Sequence, residues 1–72
     1  MTEKELSNIL ADMYNNALKG ESVSMIHMFG IKYADEIKKH GVKEIIERSG
    51  LNSSYATEVS KGMKLAKYVV AK

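Results

Sequence analysis

The chain holds no cysteine, no proline and no tryptophan. Without cysteine there is neither a disulfide nor a thiolate zinc site, and a reducing, cytoplasmic setting is the natural one. Without proline, nothing obliges a helical chain to break. No stretch approaches the roughly 18 apolar residues that a membrane span requires, and the opening MTEKELSN is polar and acidic where a signal peptide is basic and then apolar. The expectation is a soluble, unexported protein with no membrane partner. One phenylalanine against five methionines suggests a pliable core or an adaptable contact surface. Seventy-two residues form one domain, 1–72, near the lower limit for a core that stands without staples.

Metal and catalytic chemistry are equally thin. His27 and His40 lie thirteen residues apart, and no second ligand stands one helical turn away beyond scattered carboxylates. His27, inside an apolar segment, reads as a satisfied buried or interface group. Asp35 and Glu36 are adjacent and point in different directions on a helix, no glycine loop cradles phosphate, and the serines lack a base and an orienting group. The expectation is a non-enzymatic protein with no cofactor, no metal and no small-molecule substrate.

What is present is helical periodicity, and it predicts an all-α domain of four to five short helices. Thr2 and Glu5 have the spacing of a capping box, and Leu6, Ile9, Leu10, Met13, Ala17 and Leu18 recur every three or four residues until Gly20. Ser22 is a candidate cap for a short helix reaching Met28 or Phe29. In that segment Val23, Met25, Ile26, Met28 and Phe29 point in nearly every direction, so it is central or covered by a partner. Gly30 reads as a bend. Ile31, Ala34 and Ile37 give a third face that closes at His40-Gly41, with Gly41 a terminal cap. A fourth helix is expected from about Val42 to Ser49. The fifth is expected from about Ser53 to the end, with Gly62 as a weak point where it kinks or splits.

Residues 42–61, VKEIIERSGLNSSYATEVSK, carry the most specific pattern. Ile45 and Ile46 supply an inward face, Gly50 permits a turn through positive φ, and Leu51 plugs that turn. Asn52 or Ser53 is placed to cap the next helix, whose Ala56 and Val59 face inward. The net charge of +2 is small, but its distribution is uneven. Residues 1–52 hold seven lysines or arginines against eight acids, whereas residues 53–72 hold four lysines against one glutamate. Such a gradient fits a protein that meets phosphates on one side, and equally fits lysines complementing a helix dipole.

Winding the last helix at about 100° per residue puts Ala56, Val59, Met63, Ala66 and Val70 on one face. Ser54, Thr57, Lys61, Lys64 and Tyr68 fall on another. Hydroxyls early in a helix and lysines farther along suit a helix that enters a DNA groove, because early side chains reach base edges while lysines neutralise phosphates. Ser53, Ser54 and Thr57 are candidates for base or phosphate hydrogen bonds, Tyr55 for a backbone or base contact, and Lys61 and Lys64 for phosphate. No arginine or glutamine heads the helix, so bidentate base readout is not expected. Arg48, the only arginine, reads as pairing with Glu44 four residues earlier rather than touching a backbone. Glu58 sits at the margin of the outer face.

The stretch Ile45-Ile46-Glu47-Arg48-Ser49-Gly50-Leu51 followed by Ser54-Tyr55-Ala56-Thr57-Glu58-Val59 resembles the helix-turn-helix of bacterial repressors and related DNA-binding domains. It departs at Ile46, where that family usually has a small residue, and this bears on how closely the two helices approach. The whole chain, with its MIHMFGIKYADEI and KGMKLAKYV segments, also looks like small helix-turn-helix-like modules of bacterial and phage proteins. The resemblance implies double-stranded DNA as the partner, a homodimer or a larger protein complex, and transcriptional or mobile-element control. A helix-hairpin-helix is the alternative within DNA binding. Gly50-Leu51-Asn52-Ser53-Ser54-Tyr55-Ala56 has that family's spacing, with Asn52 in place of the second glycine. A protein–protein assembly module without nucleic acid is the alternative from another class, motivated by the Val23–Phe29 segment and by Leu65, Tyr68 and Val69 on the outer side of the last helix.

Overall fold

The computed structural model describes residues 1–70, which form five helices: α1 (Glu3–Asn15), α2 (Ser22–Lys32), α3 (Ala34–His40), α4 (Val42–Ser49) and α5 (Tyr55–Leu65). The architecture is all-α. The capping box closes as its spacing predicts: the Glu5 amide donates to Thr2 Oγ1 at 3.1 Å and the Thr2 amide donates to Glu5 Oε1 at 2.8 Å. Eight fully buried apolar residues make the core, namely Leu6 and Leu10 of α1, Ile26 and Phe29 of α2, Ile37 of α3, Ile45 and Ile46 of α4, and Val59 of α5. One hydroxyl is buried with them. Ser7 Oγ lies 2.8 Å from the Glu3 carbonyl and 3.3 Å from the Ile45 carbonyl, which ties α1 to α4.

Several helix ends differ from the periodicity. α1 stops at Asn15 rather than running to Gly20, because asparagines compete for backbone bonds and favour termini, and Leu18 beyond them is 71% exposed. Ser22 is the first residue of α2 and not its cap; Glu21 holds that position without a side-chain bond. α2 continues through Gly30, and the bend falls instead at Tyr33 (φ −115°, ψ 22°), shared by α2 and α3. The third helix ends at Gly41 as expected, with its amide donating to the Ile37 carbonyl at 2.8 Å. α5 begins at Tyr55, not Ser53, and ends at Leu65. Val70, expected on its inner face, lies past the helix and is 87% exposed.

The largest correction concerns the two mid-helix glycines. Gly30 is not a bend and Gly62 is not a kink. Both are buried within continuous helices and face each other where α2 crosses α5. A β-carbon on Gly30 would stand 2.5 Å from the Val59 carbonyl oxygen and 3.0 Å from Gly62 Cα, and one on Gly62 would strike the His27 carbonyl oxygen. Hydrogen in place of a side chain therefore lets two backbones touch. α2 is the central element, packed chiefly against α5 and also against α1. The apolar-all-round segment is accounted for by this position: Ile26 and Phe29 are buried, Met25, His27 and Met28 are half-buried, and of its apolar side chains only Val23 is exposed.

Candidate nucleic-acid interface

Helices α4 and α5 flank a turn built by local chemistry. Gly50 takes φ +79°, ψ 7°, the left-handed conformation that costs other residues about 1–2 kcal/mol, and its amide donates to the Glu47 carbonyl at 3.2 Å. Ser49 Oγ donates to the Ile46 carbonyl at 2.7 Å and closes the same turn. Leu51 packs against the core. Asn52 Oδ1 accepts the Ser54 amide at 2.9 Å, and the Asn52 carbonyl accepts the Tyr55 amide at 3.0 Å, which launches α5. The cap position itself falls at Ser54, which makes no side-chain cap bond, so neither Asn52 nor Ser53 is the N-cap and Asn52 acts earlier, in the turn. Among the described residues only glycines have positive φ, so Asn52 does not take the left-handed conformation that a second hairpin glycine would supply.

α5 is held on three sides. Its glycine edge meets α2, its inner residues Ala56, Val59 and Met63 meet the core, and Tyr55 at its start packs on α1. The Tyr55 and Tyr14 hydroxyls are 3.1 Å apart and their rings 5.4 Å apart, tilted by 57°. The hydrogen bond with Tyr14 holds the Tyr55 phenol above its ordinary range. The structure therefore separates the six candidate residues into two sets. Ser53, Ser54, Thr57, Lys61 and Lys64 are exposed, the first two in the turn before α5 rather than within it. Tyr55 is half-buried, with its hydroxyl bonded to that of Tyr14.

Two charged side chains behave differently from their local pattern. Glu58 turns away from the outer face: its Oε1 is 2.6 Å from His27 Nε2, and Lys61 Nζ donates to its Oε2 at 3.4 Å. The His27 hydrogen bond, helped by Lys61, holds the Glu58 carboxyl below its ordinary range. The one acid of the segment thus reaches α2 through His27 and pairs with Lys61 of its own helix. Arg48 does not pair with Glu44. Its Nε donates to Glu3 Oε1 of α1 at 2.6 Å, while the Glu44 carboxylate lies over Gly41 at the amino end of α4, where the helix dipole favours an anion.

A family described as an HTH-like domain matches residues 2–72, nearly the whole chain. The chain belongs to this HTH-like domain family. No curated protein and no solved structure matches it. Residues 42–61 of this HTH-like domain form α4, the Gly50 turn and the first part of α5. The tight approach is not between those two helices, though. Ile46 is buried in the core, and the close contact is made by Gly30 and Gly62 between α2 and α5. Among the described residues no group of three or more His, Cys, Asp or Glu side chains is placed to hold a metal, and no helix is long and apolar enough to cross a membrane.

Proposed function

We propose that residues 1–72 act as one non-enzymatic DNA-binding module, with α5 as the helix that enters the groove of duplex DNA. The observation that carries this reading is the outer face of α5. Ser53, Ser54, Thr57, Lys61 and Lys64 stand exposed opposite the packed face, and the segment's single carboxylate, Glu58, is bonded to His27 of α2 and to Lys61. Membership of the HTH-like domain family supports it. In this reading the three hydroxyl residues hydrogen-bond to base edges or phosphate, Lys61 and Lys64 neutralise phosphate, and Tyr55 sets the angle of the helix start through Tyr14. Contacts of this kind favour affinity over sharp sequence preference. Transcriptional or mobile-element control in the cytoplasm is the setting it fits, and Leu65, Tyr68, Val69 and Val70, all exposed, offer an apolar surface for a homodimer or larger complex.

Titration of random duplex DNA across a salt series tests the reading. Binding weakens as salt rises, and Lys61→Ala with Lys64→Ala lowers the salt slope by roughly 0.9 for each phosphate no longer neutralised. A protein that retains no duplex even at low salt is instead an assembly module, the reading favoured by the exposed apolar residues after α5.

A further inference from the structure

The flank of α5 away from His27 carries a feature that the DNA face does not use. Between α5 and the α3–α4 junction lies an open groove of about 280 Å³, lined by Lys38, Val42, Ser60, Met63, Lys64 and Lys67. Its floor is Val42 and Met63, both half-buried, and its rim is three exposed lysines. No carboxylate lines it. Outside the groove Lys39 pairs with Glu36, Arg48 with Glu3 and Lys61 with Glu58, while of the other described residues Lys4, Lys19, Lys32 and Lys43 stand dispersed without an ion pair. Among the described residues none of the three rim lysines has an ion-pair partner, so the groove concentrates uncompensated positive charge around an apolar floor.

We infer that this groove docks an acidic peptide segment of a protein partner through one aliphatic or aromatic side chain flanked by aspartates or glutamates. Three physical points select that occupant. The groove is open to solvent rather than enclosed, so it offers a surface contact and not the closed cavity in which a small molecule is buried. The floor has no hydrogen-bond donor apart from the Ser60 hydroxyl beside it, so a phosphodiester strand pressed into it would lose water without replacement. A peptide with an apolar anchor fills the floor and sets its carboxylates against the lysines, which is the division of labour between core and rim seen in protein interfaces. Lys64 belongs to both the groove and the outer face of α5. Occupancy by the peptide therefore competes with DNA; this coupling alone rests on the DNA-binding reading.

Selection of random peptides displayed on phage against the full chain tests the inference. The expected result is enrichment of acidic peptides that contain an aliphatic or aromatic residue. A selected peptide should lose affinity about tenfold or more on Lys38→Glu with Lys67→Glu, two exposed positions, in a chain checked by far-UV circular dichroism to keep the wild-type helix content. It should lose binding when its apolar residue is replaced by serine, and should release bound duplex DNA from the wild-type chain. Failure to enrich acidic peptides, indifference to the double reversal, or equal binding by the serine peptide overturns the inference. So does a Lys38→Glu, Lys67→Glu chain that loses DNA as severely as Lys61→Ala with Lys64→Ala, because the groove is then a track for a DNA strand. The peptide selection requires no DNA, so failure of the DNA reading removes only the competition.

Discussion

Gly62→Ala sets two opposing effects against each other at one position. On propensity alone, alanine in place of a mid-helix glycine stabilises by roughly 1 kcal/mol. The crossing reverses the sign. The new methyl would stand 3.0 Å from Gly30 Cα and closer still to the His27 carbonyl oxygen. Neither neighbour is the flexible end of a side chain, so α2 and α5 must separate, which loosens the packing around buried Val59, Ile26 and Phe29. Overpacking of this kind costs about 1–3 kcal/mol, and rigid neighbours place it at the upper end, for a net loss of about 1–2 kcal/mol. A 72-residue domain has a total stability on the order of 4–11 kcal/mol. A loss of that size lowers the melting temperature by roughly 5–15 °C. Thermal and urea unfolding followed by far-UV circular dichroism measure it. Gly30→Ala should act in the same direction, and the double variant should cost less than the sum, since the first methyl has already opened the crossing. A melting temperature that rises with Gly62→Ala would refute the close approach and return Gly62 to the role of a merely weak helix residue.

Three further outcomes follow from other parts of the fold. Gly50→Ala meets open space but must hold φ +79°, so it should cost about 1–2 kcal/mol in urea unfolding, and Gly50→Asn less. Tyr55→Phe removes the hydroxyl bond to Tyr14 and should cost about 0.5–1.5 kcal/mol. DNA affinity measured well below the melting temperature should barely change; a large loss would make the phenol a direct DNA contact. For Glu58 the folded carboxyl sits below its ordinary value of 4.5, so its contribution to stability is present above that value and is lost as pH falls through the lowered one. Glu58→Gln should flatten the acid limb of a stability–pH profile relative to wild type, and superimposable profiles would contradict the His27 contact.

Features governed by a few neighbouring residues were legible in the sequence. Thr2 and Glu5 announce the start of α1, and Gly50 between Ile45-Ile46 and Leu51 announces the turn, because capping and positive φ are decided within a few positions. Features set by distant pairs were not. A glycine inside a helical pattern looks the same whether it bends the chain or admits another backbone, and only the fold brings Gly30 to Gly62. Arg48 illustrates the same limit: the one-turn rule selects Glu44, but α1 lies across α4 and delivers Glu3. Tyr55 was readable in part. At about 100° per residue it lies only about 40° from Val59, on the packed side, although its aromatic character suggests a base contact. Lys38, which borders the same groove as Lys64, sits on another helix, and no spacing within α5 points to it.

The glycine crossing and the outer face of α5 are joined by length. α5 has eleven residues, and helices shorter than roughly 12–15 residues are marginal in water on their own. Its order is therefore borrowed from α2 on one flank, from Tyr14 at its start and from the core beneath. On the proposed DNA-binding reading, two classes of variant should leave different marks. Lys61→Ala with Lys64→Ala removes charge from a helix that keeps its place, so affinity should fall and the salt slope flatten with it. Gly62→Ala leaves every lysine present but displaces the helix that carries them. Near the melting transition it should weaken binding at all salt concentrations in proportion to the unfolded fraction, with the salt slope of the folded molecules unchanged. If Gly62→Ala instead flattens the slope while the protein remains folded, the phosphate contacts depend on the angle at which α2 holds α5, and the crossing sets the register of the interface as well as its stability.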